Sequence, residues 1–535
     1  MSLKNNTAEL REKSFYYSLL LFVIVLPFSE AFVSIAAAIL FLQSLLFQPL
    51  NNIKKSLTNN KSVFYILGIF GVYLLGILHT RDFALSMYEL KKVAFWVVIP
   101  LGIVLSPRLS EKRFYKIITV FSIAVTVVAI IAAIRFIFKS VFNITDFREI
   151  SLISHIRYSY QVALAIFCCV FLVINRVKEN DSFKTIVPFL IMAVWLVLFL
   201  FLLKSITGII AFLGTTCFLG LYYLFAVKRK INYLLVVVLA ILVALPLLYT
   251  KSVWDDFYNI EKLDPQKVDK YTALGNPYTF NFDSEEKENG RWVQSYICAE
   301  ELRKEWNKRS EYKYDSLNNH GFSNRSTLVR YLTSRGLRKD SAGVSQLTEA
   351  DIKNIEQGIA NYIYAEKRFS LYPRIYETIW EYDRYKASGN PNGQSLSQRI
   401  EFVKASVVII KSNFWLGIGT GNWKAEYAKA YDKLGSKLKE ENQRSSHNQY
   451  LNYMVKFGVI GFVLIMCMLL IPVFKEGQEK NLLLWILLVF IGIANLGDAN
   501  LETHMGLSFF CFFYSLFLWH SPDRIKNFTF QEKLK

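Results

Sequence analysis

Apolar residues gather along this chain into twelve runs, at about 14–29, 31–48, 62–79, 90–106, 113–138, 156–175, 183–203, 205–227, 232–249, 448–474, 481–497 and 503–519. Runs of this length with few charges predict helices that cross a lipid bilayer. The first follows MSLKNNTAELREK and shows no small-residue cleavage site, which predicts a retained anchor and not a removed signal peptide. No internal repeat relates the first six runs to the last six.

The polar connectors alternate in charge. Lys54, Lys55 and Lys61, then Arg108, Lys112, Arg113 and Lys116, then Arg176, Lys178 and Lys184, then Lys228, Arg229 and Lys230 all fall on one side of the predicted bilayer. Lys475, Lys480 and both termini share that side. The bias of basic connectors makes it the cytoplasm. Opposite connectors, such as HTRDFALSMYE and the turn near Leu203, carry fewer basic groups.

One connector is far longer than the rest. Residues 251–447 form a polar segment on the non-cytoplasmic side, and connections of that length are usually functional. Helix-like stretches appear in it near 293–307, 325–335, 349–368, 371–388, 397–413 and 421–440. Thr348-Glu349-Ala350-Asp351 resembles a capping box, and Gly336 suits a helix end. The predicted fold is therefore an all-α polytopic membrane protein. Residues 1–250 would hold helices 1–9, 251–447 a large helical loop, and 448–535 helices 10–12 with a tail.

Composition refines this picture. The chain is 535 residues long, 53% apolar, with a formal charge of +19. The long polar segment holds 31 Lys+Arg against 27 Asp+Glu, so most of the excess lies in the short connectors. The basic balance is thus topological and does not point to nucleic acid. Of the six cysteines, only Cys298 lies outside the apolar runs, and no disulfide framework or metal-ligand spacing is present. No cofactor is expected. A transporter reading lacks repeat symmetry and a charged relay at mid-membrane. A purely structural or polysaccharide-binding membrane protein would need neither of the basic residues singled out next.

Candidate chemistry concentrates between 394 and 461. In QSLSQRIEFVKASVVIIKSNF, Ile400, Val403, Val407, Ile410 and Phe414 recur at helical spacing. Arg399 stands in the first turn, where the helix dipole favours an acid; it is either a solvated arginine or an anion ligand. Gly417-Ile418-Gly419-Thr420-Gly421 follows with no strand before it, so a tight turn fits better than a dinucleotide loop. In RSSHNQYL, His447 is either an interfacial residue or a proton acceptor near neutral pH. Asn448 beside it suits a helix cap as well as a ligand contact, and Arg444 lies just upstream. Arg157 and Tyr158 in SHIRYSYQ, together with Lys204, fall on the same predicted side. With Arg399 they would form a cationic floor for a phosphate-bearing lipid; the alternative is that they snorkel to the interface. Arg135 also lies near an outer helix end. Asn495, Asp498, Asn500, Glu502 and His504 form a polar turn read as structural. The loop tryptophans Trp292, Trp306, Trp380, Trp415 and Trp423 suit its own core and the membrane belt, or stacking on sugar rings.

The order Arg399…SNFWLGIGTGNW…SHNQYL…GVIG resembles the signature of the O-antigen ligase superfamily, with Phe414-Trp415 where a proline is usual and Gly458-Val459-Ile460-Gly461 closing the motif. That superfamily includes lipopolysaccharide O-antigen ligases, O-antigen polymerases and protein O-oligosaccharyltransferases. The resemblance covers about 394–461; residues 270–390 are an elaboration outside it. It implies a GT-C-like fold and a metal-independent, inverting glycosyl transfer on the periplasmic face of a bacterial inner membrane. The donor would be a glycan on undecaprenyl pyrophosphate and the acceptor a hydroxyl of lipid A-core, a protein or another glycan. His447 and Arg399 would be catalytic. Arg157, Arg399 and Lys204 would hold the pyrophosphate, and Asn448, Tyr158 and Arg444 would contact substrate. Lys204-Ser205-Ile206-Thr207-Gly208 departs from the Ser-Arg-Gly/Thr common in the family, so Lys204 either replaces that arginine or the site lies elsewhere.

Overall fold

The computed structural model describes residues 2–46, 50–138, 149–226, 233–260, 262–318 and 320–523. The basic connector Lys228-Arg229-Lys230 and the C-terminal tail beyond 523 lie outside the described residues. The chain divides into two compact units. One is Met1–Leu239 with Gln398–Lys535, the other Ala240–Ser397.

Among the described residues, every apolar run contains helix. In the first unit these are α1 (Ser2–Val25), α2 (Glu30–Leu46), α3 (Leu50–Asn59), α4 (Val63–Leu75), α5 (Phe83–Val93), α6 (Phe95–Val104), α7 (Glu111–Ile137), α8 (His155–Lys178), α9 (Phe183–Leu202) and α10 (Ile206–Ala226). Helix α11 (Tyr233–Tyr258) leads into the second unit. Among the described residues, six helices are individually long and apolar enough to cross a membrane, and a seventh is added if α2 and α3, bent by 114°, count as one span. The runs expected at 62–79 and 90–106 fall short as single helices. Helix α4 tightens into a 3₁₀ turn at Gly76–His79, and α5 and α6 are separated at Ala94.

Helix α7 shows why this is a membrane protein. Ile123, Val127, Ile130 and Ile134 form an exposed apolar stripe, while Ser122, Val125, Ala129 and Ala132 face inward. Such a stripe is stable against lipid and costly against water. Arg135, at the far end, does not merely snorkel: its guanidinium donates to the carbonyls of Ile150 (2.8 Å) and Ser151 (3.2 Å).

The second unit holds α12 (Ala299–Arg309), α13 (Asn324–Arg335), α14 (Ser341–Ser345), α15 (Glu349–Glu356), α16 (Ile363–Glu366) and α17 (Tyr372–Ser388), with a two-stranded ribbon of β1 (Lys287–Glu288) and β2 (Arg291–Trp292). Local signals set these boundaries. Thr348 and Asp351 complete the capping box of α15, and Gly336, at φ 75°, ends α13 in the left-handed conformation that glycine adopts without strain. The stretch expected as one helix over 349–368 breaks at Gly358, also at positive φ. Trp306, Tyr314, Leu328, Tyr331, Leu332 and Ile355 form one core. Phe257, Ile363, Tyr376 and Ile379 form another. Each fully buried large apolar side chain contributes roughly 1.5–3 kcal/mol.

The chain re-enters the first unit within α18 (Ser395–Ser412), so residues 398–447 pack there and not with the rest of the long polar segment. The apolar face of α18 explains it. Phe402, Ala405, Ile409 and Ile410 bury against Tyr427 and Tyr431 of α19 (Trp423–Lys433) and Val455 of α20 (Gln449–Lys475). The last helices are α21 (Leu482–Ala494) and α22 (His504–Trp519). Every residue of α22 from Met505 to Trp519 is buried, as expected of a helix that is apolar all round.

Candidate functional site

The glycine turn is built into a break in α20. At Gly458 the backbone leaves the helix (φ 64°, ψ −172°). Two rungs of the helix ladder are therefore lost, and the turn replaces them. The Val455 carbonyl accepts from the Ile418 N–H at 3.0 Å, and the Lys456 carbonyl from the Gly419 N–H at 2.8 Å. Beyond the break, the Val459 N–H donates to the Phe414 carbonyl (2.8 Å) and the Ile460 N–H to the Trp415 carbonyl (3.3 Å). Orphaned backbone groups at helix depth are thus all satisfied. Only glycine fits here: a Cβ on Gly417 would lie 2.5 Å from the Gly458 nitrogen, and one on Gly458 would lie 2.2 Å from the Trp415 carbonyl oxygen. On its other side the turn holds the end of α4. Thr420 donates through its hydroxyl to the Tyr73 carbonyl (2.7 Å), and Asn422 Nδ2 donates to the His79 carbonyl (2.9 Å). The turn is a structural clamp that fixes α18 against α20, as the sequence suggested.

That clamp sets the segment carrying His447. Immediately before α20, His447 Nδ1 faces Asp498 Oδ1 at 3.4 Å, and its ring lies 5.6 Å from that of Phe402. Asp498 sits in the turn between α21 and α22. Its other oxygen pairs with Arg157 Nη1, and Arg157 Nε donates to Thr503 Oγ1 at 3.1 Å. The Asp498 side chain is 5% exposed. Burial alone would raise its carboxyl, but the hydrogen bond from His447 and the charge of Arg157 outweigh that and hold it well below the ordinary carboxylate range. An ionised carboxylate facing Nδ1 favours the tautomer with the proton on Nδ1. Nε2 is then left as a basic nitrogen on a side chain that is 43% exposed.

Arg399, in the second turn of α18, is half-buried and makes no hydrogen bond or ion pair among the described residues. It lies within electrostatic reach of the Tyr160 hydroxyl, as do Arg157 and Asp498. Tyr160 is one helical turn beyond Arg157, and its buried hydroxyl lies beside the Asn500 side chain. His447 and Arg157 therefore meet at Asp498, and Arg399 lies within electrostatic reach of Tyr160, one helical turn from Arg157. Lys204 stands in the α9–α10 turn at φ 53°, next to Ser205, whose hydroxyl meets that of Ser159 at 3.0 Å. That contact brings the Lys204 turn against the opening of α8. Arg444 is exposed, and its carbonyl accepts from the Tyr431 hydroxyl at 2.6 Å.

Two expected substrate contacts are engaged in holding the fold. Asn448 caps α20 by accepting from the Leu451 N–H (3.0 Å) and donates Nδ2 to the Leu496 carbonyl (3.0 Å), so both amide atoms are occupied. Tyr158 is wholly buried, and its hydroxyl donates to the Val125 carbonyl of α7 at 2.7 Å.

Sequence reasoning missed two features. Asp498 was read as structural, yet it joins His447 to Arg157. No charged relay was expected within the spans, yet Lys456 Nζ, 3% exposed, lies 2.9 Å from Glu89 and 2.8 Å from Glu502. Lys92 reaches Glu89 at 3.0 Å, and the Tyr73 hydroxyl and Asn452 Nδ2 donate to Glu502 at 2.9 and 3.0 Å. The signal for both was a charge inside or between apolar runs: Lys456 in YMVKFG, and Asp498 and Glu502 in the short turn LGDANLE. Among the described residues, no group of three metal-ligating side chains is found.

Residues 357–466 match the family model described as O-antigen ligase. The match takes in Arg399, the glycine turn, Arg444, His447 and the break at Gly458. No curated protein matches the chain. Over that stretch the chain is similar to the O-antigen ligase family, in agreement with the resemblance drawn from the signature.

Proposed function

We propose, taking the similarity to the O-antigen ligase family as the premise, that this protein is a membrane glycosyltransferase. It would move a glycan from undecaprenyl pyrophosphate to an acceptor hydroxyl on the periplasmic face of the inner membrane, with lipid A-core as the acceptor. The observation that carries this reading is the Asp498 carboxylate shared by His447 and Arg157, with Arg399, which makes no ion pair among the described residues, in the same unit.

In this reading His447 Nε2 takes the proton of the acceptor hydroxyl as its oxygen bonds to the anomeric carbon. The bond from that carbon to the pyrophosphate oxygen breaks, and the configuration inverts. Asp498 positions the imidazole and balances the charge it acquires. Arg399 and Arg157 receive the pyrophosphate, whose negative charge grows as it leaves; fixed cations aimed at developing charge lower the barrier most where water is scarce. Lys204 and Arg444 would add further contacts to the phosphate-bearing substrate. A polymerase and a protein O-oligosaccharyltransferase share this chemistry and differ in the acceptor. Purified protein is to be supplied with a labelled undecaprenyl-pyrophosphate glycan together with lipid A-core, a secreted protein and a second glycan chain. Label in lipid A-core is the expected result. Label in protein or in longer glycan alone would replace the ligase reading with one of the other two.

A further inference from the structure

The second unit contains a cavity of about 420 Å³ that the proposed reaction does not use. Its volume falls within the roughly 300–1,000 Å³ usual for small-molecule sites. Val293, Ile297 and Val329 give it an apolar lining, and Trp380 also faces it. Three ion pairs surround this lining: Arg330–Glu288 at 2.5 Å, Arg384–Glu286 at 2.7 Å and Lys287–Asp383 at 2.8 Å. Exposed Glu285 and Arg325 add one charge of each sign. The lining is thus balanced at four acidic and four basic groups.

That balance decides the class of ligand. A phosphate or a strongly cationic ligand would need an excess of one sign, and a lipid tail would need a dry wall. Carboxylates and guanidinium groups already paired with each other keep spare lone pairs and N–H groups, so they offer acceptors and donors side by side without a net field. A pyranose ring matches this surface. Its C–H face suits Val293, Ile297, Val329 and the Trp380 ring, and its hydroxyls each need one donor and one acceptor at the edge. The exposure gradient fits entry from one side: Glu286 and Arg384 are each 40% exposed, and Glu288 only 1%.

We propose that this cavity binds an uncharged sugar segment, a mono- or disaccharide's worth of the glycan that the protein handles. The proposal rests on the glycosyltransferase reading for the source of the sugar and on the cavity alone for its chemistry. The test uses full-length protein in detergent micelles. The probe is the oligosaccharide released by mild acid from the host's lipid-linked donor, with inorganic phosphate as control and binding read by calorimetry and saturation-transfer NMR. Arg384→Ala removes a rim donor, and Ser326→Tyr fills the mouth from an exposed position whose hydroxyl takes no part in capping α13. Both are expected to weaken oligosaccharide binding roughly tenfold or more, while phosphate shows no saturable binding and His447→Ala binds as wild type. Wild-type affinity in both cavity variants, or no binding by wild type at millimolar oligosaccharide, would overturn the proposal. If wild type transfers glycan to no acceptor yet binds the oligosaccharide, and the cavity variants do not, the enzyme reading falls and the sugar site stands.

Discussion

Arg157 and Lys456 are both basic residues in the opening turns of apolar helices, and each is held by a carboxylate from the 498–502 turn. Their surroundings differ. Around Lys456 the account is closed: two ammonium groups meet two carboxylates, a tyrosine and an asparagine complete the hydrogen bonds, and Lys456, Glu89 and Glu502 are each at most 6% exposed. Around Arg157 it is open, because the carboxylate is shared with a half-exposed histidine, and Arg399 makes no ion pair among the described residues. A closed buried cluster can only fix geometry, since any new charge would have to displace a partner. An open one can accept charge during a reaction. Location beside a membrane does not separate the two; satisfaction of partners does.

The comparison is most sharply broken at His447. His447→Ala should lower glycan transfer by roughly 10²–10⁴-fold, the usual contribution of a general base, with thermal stability and donor binding close to wild type. Wild-type turnover in the purified variant would remove His447 from the chemistry. Lys456→Met should show the opposite profile. It leaves Glu89 and Glu502 buried against each other, so it should cost about 3–5 kcal/mol of stability. Thermal unfolding in detergent checks this, and an unchanged midpoint would mean that the cluster is not closed.

Arg399 gives a subtler comparison. Arg399→Ala should weaken donor binding about tenfold or more, and Arg399→Lys by less, because charge is kept while the guanidinium fork is lost. Equal losses in a titration with lipid-linked donor would argue against a phosphate contact. The smallest effect lies in the second unit. The Asp351 carboxyl is buried, which alone would raise it. Hydrogen bonds from Tyr331, the Thr348 backbone and side chain, and Arg335 outweigh that and bring it down to about 2. Because the folded value is depressed, its stabilisation is complete above the ordinary carboxylate range and lost as pH falls toward about 2. Asp351→Asn should remove the part of the acid sensitivity of this unit that falls in that window, as hydrogen exchange at α13 and α15 would report.

Much of this was legible along the chain because it depends on neighbours in sequence. The capping box at Thr348, the left-handed end at Gly336 and the tight turn at 417–421 follow from side-chain size and backbone freedom over a few residues. Asn448 was legible only as a choice between cap and ligand, and its two hydrogen bonds make it the cap. The extent of single helices was less legible, since hydropathy does not register the breaks at Ala94, Gly358 and Gly458.

By itself the sequence determined the apolar helices, their caps and the identity of the signature segment, because periodicity, capping and glycine freedom act locally. Tertiary structure alone decided what the charges do. Asp498 meets Arg157 across 341 residues, and Lys456 meets Glu89 across 367. A lone charge in or beside an apolar run has the same spelling whether it ends in a sealed ion cluster or beside an exposed imidazole. Only packing brings the partners that set its desolvation and its pairing, and so decide whether it holds the fold or remains available for chemistry.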